Sequence, residues 1–250
     1  RLGGKLGEFY KKEMHPTIMQ KLKQKNIESV PYVNIHGDMP DNGFAQFMDS
    51  PRYATGYTTL FNALGSVPET HMLKPFKDRV KVTYEYMVET INYVDQNASK
   101  IKALKNQNLE NYKAGMQYPL QWEIDSTKVS YIDFMGYKGG YKESDVSGKQ
   151  RLYYDKKQPF TKKIPFYNDY KATKEITIPS FYVIPQSQWP IIELLQLNKI
   201  EMQPLAQDTE IEVESYKIAS FETTKYPYEG HYGHYNTTVS KTTEKITFRK

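Results

Sequence analysis

The hydrophobic period of this chain changes once, near residue 118, and that change restricts it to a mixed architecture of helices followed by strands. Before it, Leu6, Phe9, Tyr10, Met14, Ile18 and Leu22 recur at helical intervals, which predicts one apolar helix face over about Lys5 to Lys25. Val80, Tyr84, Met87, Val88, Ile91, Val94, Ala98 and Ile101 form a second stripe, on a longer helix with Asp78 near its start and Gly115 beyond its end. After the change, alternations such as Glu210-Ile211-Glu212-Val213-Glu214 and Thr243-Glu244-Lys245-Ile246-Thr247-Phe248 predict strands with one wet face. Ser180 to Pro204 reads as strand, helix, strand, with Ile191, Ile192, Leu194 and Leu195 on the helix.

Between the two helices, Pro31 to Asp49 is broken by prolines and glycines and reads as loop with short strands. Gly56 to Leu64 is strand-like and closes on a turn at Gly65 to Pro68. The expected organisation is therefore an α/β part, residues 1–117, followed by a β-rich α+β domain, residues 118–250. The start, Arg1-Leu2-Gly3-Gly4, carries neither a methionine nor a signal peptide and reads as cut from a longer polypeptide.

Composition narrows the function. With 25% charged and 38% hydrophobic residues the chain fits neither a disordered nor a fibrous class. A net charge of +5, spread along the sequence, does not indicate nucleic acid. No apolar run approaches the roughly 20 residues that span a bilayer. The absence of cysteine removes disulfides, thiolate zinc sites and cysteine nucleophiles. There is no phosphate-cradling glycine loop, no Gly-x-Ser-x-Gly elbow and no His-Glu-x-x-His motif.

The chemistry-bearing stretch is Gly56 to Pro75. Glu69 follows an apolar run and Pro68 and precedes a basic helix start, a place where a carboxylate at a sheet edge would act as a general base. The alternative is a glutamate that caps the helix beginning near Pro75 or pairs with Lys74 or Arg79. His71, two residues on, would share a face with Glu69 on a strand and orient it or line a pocket. His36, before Gly37-Asp38, and the group Glu229, His231 and His234 are metal-capable, yet their spacing fits turns better than a closed ligand set.

The runs Pro51-Arg52-Tyr53-Ala54-Thr55-Gly56-Tyr57 and Pro68-Glu69-Thr70-His71-Met72-Leu73-Lys74-Pro75 belong with Arg151-Leu152-Tyr153-Tyr154-Asp155, Tyr182-Val183-Ile184-Pro185-Gln186 and Pro227-Tyr228-Glu229-Gly230-His231-Tyr232. Together they resemble bacterial zinc metallocarboxypeptidases, most closely envelope-associated or secreted members with a β-rich C-terminal extension. The resemblance implies the end of a carboxypeptidase-like mixed sheet with helices, a zinc cofactor, a peptide or protein substrate, and a periplasmic, envelope or secreted location. It also implies hydrolysis of C-terminal peptide bonds by a metal-activated water with Glu69 as general base. In that family the ligands lie in a His-x-x-Glu motif and a later histidine. No His-x-x-Glu occurs here, so the ligand set is expected before Arg1.

Tyr57 and Arg52 are candidates for substrate contact, the hydroxyl donating to a developing oxyanion and the guanidinium gripping a terminal carboxylate. With 22 tyrosines in the chain, a packing role for Tyr57 is the competing reading. A second functional class also fits: a non-catalytic, tyrosine-rich β-domain that binds glycan or peptide on aromatic platforms.

Overall fold

The structure, a computed structural model, describes residues 3–250. It is of the mixed α and β class and divides into two compact units, one ending at Ser180 and the other Phe181–Lys250.

The first unit opens on one long helix. Helix α1 (Gly4–Phe9) passes through a π-helical turn, Tyr10–Met14, into α2 (His15–Gln24) without leaving helical backbone angles. Pro16 explains the wide turn. It cannot donate a backbone hydrogen bond and its ring crowds the carbonyl one turn earlier, a conflict that a π turn absorbs. The helix stops at Asn26, which takes a positive φ of 59°. There Asn26 N donates to Lys23 O at 3.0 Å and Ile27 N to Leu22 O at 3.0 Å, the paired bonds of a Schellman cap. The expected stripe is the buried one: Leu6, Phe9, Met14, Ile18 and Leu22 are all in the core, joined by Ile27 and by Tyr93 from a later helix.

A two-residue strand, β1 (Phe44–Ala45), follows, then α3 (Ala54–Leu60), α4 (Phe76–Gln96) and α5 (Ala98–Leu109). The long helix expected from residue 80 is thus broken at Asn97, whose side chain donates back to Tyr93 O at 2.8 Å. Strand β2 (Gln117–Ile124) pairs antiparallel with β5 (Tyr170–Thr177), and β3 (Ser130–Glu143) pairs antiparallel with β4 (Gln150–Tyr167). β1 lies parallel on β4, Phe44 opposite Phe166, and the second small core forms where they meet: Phe44, Phe134, Ile164 and Phe166. The second unit holds α6 (Trp189–Leu197) and the long hairpin of β6 (Thr209–Thr223) and β7 (His234–Phe248).

Three expectations are corrected. Gly56 to Leu64 is not a strand but lies mostly in α3, because the hydroxyls of Thr58 and Thr59 bond back to the carbonyls of Thr55 and Gly56 and satisfy the helix locally. No strand forms between residues 46 and 116, so Glu69 and His71 do not share a strand face. The segments either side of α6 are irregular rather than strands. The two compact units divide the chain between Ser180 and Phe181, and the pairing of β1 with β4 ties the helical part into the first β sheet. Among the described residues no helix is long and apolar enough to cross a membrane.

α2 and α4 are joined by charge as well as by the core. Lys25 Nζ lies 2.6 Å from Glu85 Oε2 and 2.6 Å from Glu89 Oε1, and Lys21 Nζ is 3.6 Å from the other Glu89 oxygen. Glu89 is buried, and the hydrogen bond from Lys25 holds its carboxyl below the usual glutamate range against the opposing effect of burial. A lowered folded-state pKa stabilises the fold above the unfolded value, about 4.3, and that contribution is lost as pH falls through the folded value. Wild-type protein is therefore expected to lose more thermal stability than Glu89→Gln between about pH 5 and pH 3. Parallel melts that fall equally over this window would remove Glu89 from the acid response.

Candidate functional site

The loop carrying Glu69 is built on α3. That helix starts at Tyr53, in extended backbone, and its first turn is drawn onto the preceding chain by a hydrogen bond from Thr55 Oγ1 to Asp49 Oδ2. Gly56 makes the approach possible: a Cβ there would lie 2.1 Å from Ser50 O and 2.7 Å from Asp49 O. The helix ends in a second Schellman cap, with Asn62 N donating to Thr59 O at 3.0 Å and Ala63 N to Thr58 O at 3.1 Å.

Asn62 has a second task. It is buried, takes a φ of 51°, donates from Nδ2 to Lys105 O at 2.7 Å and accepts at Oδ1 from Asn108 Nδ2 at 2.8 Å. One side chain thus closes α3 and fastens it to α5. Further along, Leu64 packs on the helical core and Ser66 Oγ hydrogen-bonds Tyr86 Oη at 2.6 Å. Tyr10 shares this pocket; burial, with Tyr86 beside it, pushes its phenol up to about 12. Beyond these anchors Val67, Pro68 and Glu69 stand out in solvent.

Glu69 and His71 are both exposed, with only Thr70 between them half-buried. The imidazole Nδ1 of His71 accepts from Leu73 N at 3.2 Å, and Lys74 N donates to His71 O at 3.0 Å, so a tight turn orders the end of the loop. Tyr57 sits in the first turns of α3 with its ring 5.1 Å from that of Phe61, and Arg52 lies exposed just before the helix. The four candidates therefore belong to one continuous stretch, two on the α3 side and two on the loop.

What the sequence stripe did not reveal is which way α4 faces. Val82, Tyr86, Glu89 and Tyr93 turn to the helical core. On α4 the predicted stripe points mostly the other way, Val80 being 51% exposed, Tyr84 64%, Met87 54% and Ile91 62%, with Phe76 at 73%, while Ile101 on α5 packs on the core. Thr70 of the candidate loop lines a groove with Phe76, Arg79, Val80, Thr83, Tyr84 and Met87. The glutamate loop and the uncovered apolar face are thus contiguous. Within the groove wall, Arg79 Nε is buried and has no hydrogen-bond partner among the described residues.

Among the described residues no three His, Asp or Glu side chains are grouped to hold a metal ion. His36 packs its ring 4.8 Å from Tyr167, while His234 stacks edge-on against Phe221 at 5.0 Å with Nδ1 2.9 Å from Thr223 Oγ1. Glu229 and Gly230, both at positive φ, form the tip of a turn closed by the Tyr228–His231 bridge. Comparisons with protein families, curated proteins and solved structures find no match to this chain.

Asn62→Ala is expected to cost about 1–3 kcal/mol, because it strands the Lys105 carbonyl and the Asn108 amide and places an ordinary Cβ residue at positive φ. Gly56→Ala forces a methyl into the Asp49–Ser50 backbone and should cost a similar amount, about 1–3 kcal/mol. Denaturant midpoints measure both, and unchanged midpoints would show that the α3 anchors are dispensable.

Proposed function

We propose that this chain is the C-terminal portion of a zinc-dependent metallocarboxypeptidase that hydrolyses C-terminal peptide bonds, with Glu69 as general base. The zinc ligands then lie upstream of Arg1. The observation that carries this reading is the uncovered stripe of α4 running up to the Glu69 loop. A helix with apolar residues on two opposite sides is suited to burial on both, and here only one side is covered. The missing cover and the missing ligands are accounted for together by a preceding part of the catalytic domain seated on Val80, Tyr84, Met87 and Ile91. The exposure of Glu69 supports the same reading, since a carboxylate that serves an ion held by other residues has no need of a partner within its own loop.

In this role Glu69 takes a proton from the attacking water and returns it to the leaving amine. In the same reading Arg52 grips the substrate's terminal carboxylate and Tyr57 donates to the developing oxyanion. The protein acts on peptides in the periplasm, at the cell envelope or outside the cell.

The test is Glu69→Gln in the intact parent protein. Turnover should fall about 10²–10⁴-fold, the usual effect of losing a general base, with zinc content unchanged. Full turnover by a folded, zinc-loaded Glu69→Gln protein overturns the assignment. The 250-residue chain alone should release no C-terminal residue from a peptide library read by mass spectrometry, zinc added or not.

A further inference from the structure

The outer half of the β3–β4 hairpin carries a built aromatic and basic face that the peptidase reading does not use. In its register Lys138 opposes Asp155, Gly140 opposes Tyr153 and Lys142 opposes Arg151. Directly opposed residues of an antiparallel pair project to the same side, so these six share one face. The ring of Tyr153 lies across Gly140: a Cβ there would meet its Cε1 at 3.2 Å and its hydroxyl at 3.5 Å. Glycine thus lets the ring lie flat along the sheet, where it remains 37% exposed. Lys142 Nζ stands 5.6 Å from the ring centroid.

Charge on this arm is unbalanced. Lys138, Lys142, Arg151, Lys156 and Lys157 are all exposed, and among the described residues none lies within ion-pair distance of an acid, although the Lys138 ammonium, across the ladder, helps hold the Asp155 carboxyl down. The one acid of the face, Asp155, is engaged with its own bulge, accepting from Lys157 N at 2.9 Å and Gln158 Nε2 at 2.7 Å. Those bonds hold its carboxyl below the usual aspartate range. Three cations around one flat ring present an anion-binding rim and an apolar stacking surface of about the size of one sugar ring. Asp155 keeps acceptor lone pairs beyond its two bulge bonds, and a hydroxyl-rich sugar ring stacked on Tyr153 can donate to them, which favours a glycan as the occupant.

We propose that the face formed by Lys138, Gly140, Lys142, Arg151, Tyr153 and Asp155 binds a carboxylate-bearing polysaccharide, one sugar stacking on Tyr153 and its acid groups reaching Lys142 and Arg151. The probe is polygalacturonate, with its fully methyl-esterified form as the uncharged counterpart, in affinity electrophoresis of the 250-residue chain. Polygalacturonate should retard the protein, and the ester should not. Added salt should weaken the effect. Lys142→Ala/Arg151→Ala should abolish retardation, whereas Lys174→Ala/Lys217→Ala, equal in charge, should not. Tyr153→Ala should weaken binding about tenfold and Tyr153→Phe should keep it, the phenylalanine also guarding against a folding defect. No retardation, equal retardation by the ester, or equal loss in both double variants overturns the proposal. So does tighter binding to an oligothymidylate than to polygalacturonate.

Discussion

Helix α4 has two apolar sides, and the first unit is organised around the one that is covered. Val82, Tyr86 and Tyr93 meet the stripe of the N-terminal helix, and Glu89 on the same side meets Lys21 and Lys25. The acid is tolerable there because two ammonium groups take up its oxygens; a buried carboxylate without them would be strongly destabilising. Fixing this side fixes the other. Phe76, Val80, Tyr84, Met87 and Ile91 are held together as one surface because the helix that bears them cannot rotate without breaking the Glu89 cluster.

The candidate loop inherits its position from the same packing. Leu64 and Ser66 belong to the covered side, through the helical core and Tyr86, and Asn62 ties the preceding helix to α5. The chain is therefore anchored at Asn62, Leu64 and Ser66, while Val67 to Leu73, apart from the half-buried Thr70, remain in water. A loop fixed at its base and exposed at its end suits a group that acts on something brought to it.

Periodicity made some elements legible and hid others for identifiable reasons. The N-terminal helix and α6 show in the spacing of their apolar residues, and the β6–β7 hairpin shows in the alternation at Glu210–Glu214 and Thr243–Phe248. α3 did not, because Tyr57, Thr58 and Thr59 carry strand propensity and only the threonine back-bonds and the Asn62 cap decide for a helix. The stripe of α4 was visible, but periodicity does not say which of two apolar sides finds a partner. Nor does local pattern report a pairing as distant as Phe44 with Phe166. Of the candidate site, Glu69, His71, Arg52 and Tyr57 were legible as residue types in one stretch. The tethers that shape it were not, since an asparagine and a serine in a loop carry no periodic signal.

The unit Phe181–Lys250 contains no fully buried residue, and among the described residues strands β6 and β7 pair only with each other. Unfolding it uncovers little surface that water does not already reach, so it adds little to the denaturant dependence of the chain, which scales with the area newly exposed. Its backbone amides are governed by local opening of a two-stranded ribbon rather than by loss of a core. The steepness of a denaturation curve for the whole chain is thereby set by the residues up to Ser180, while hydrogen exchange in the ribbon proceeds on its own, faster clock.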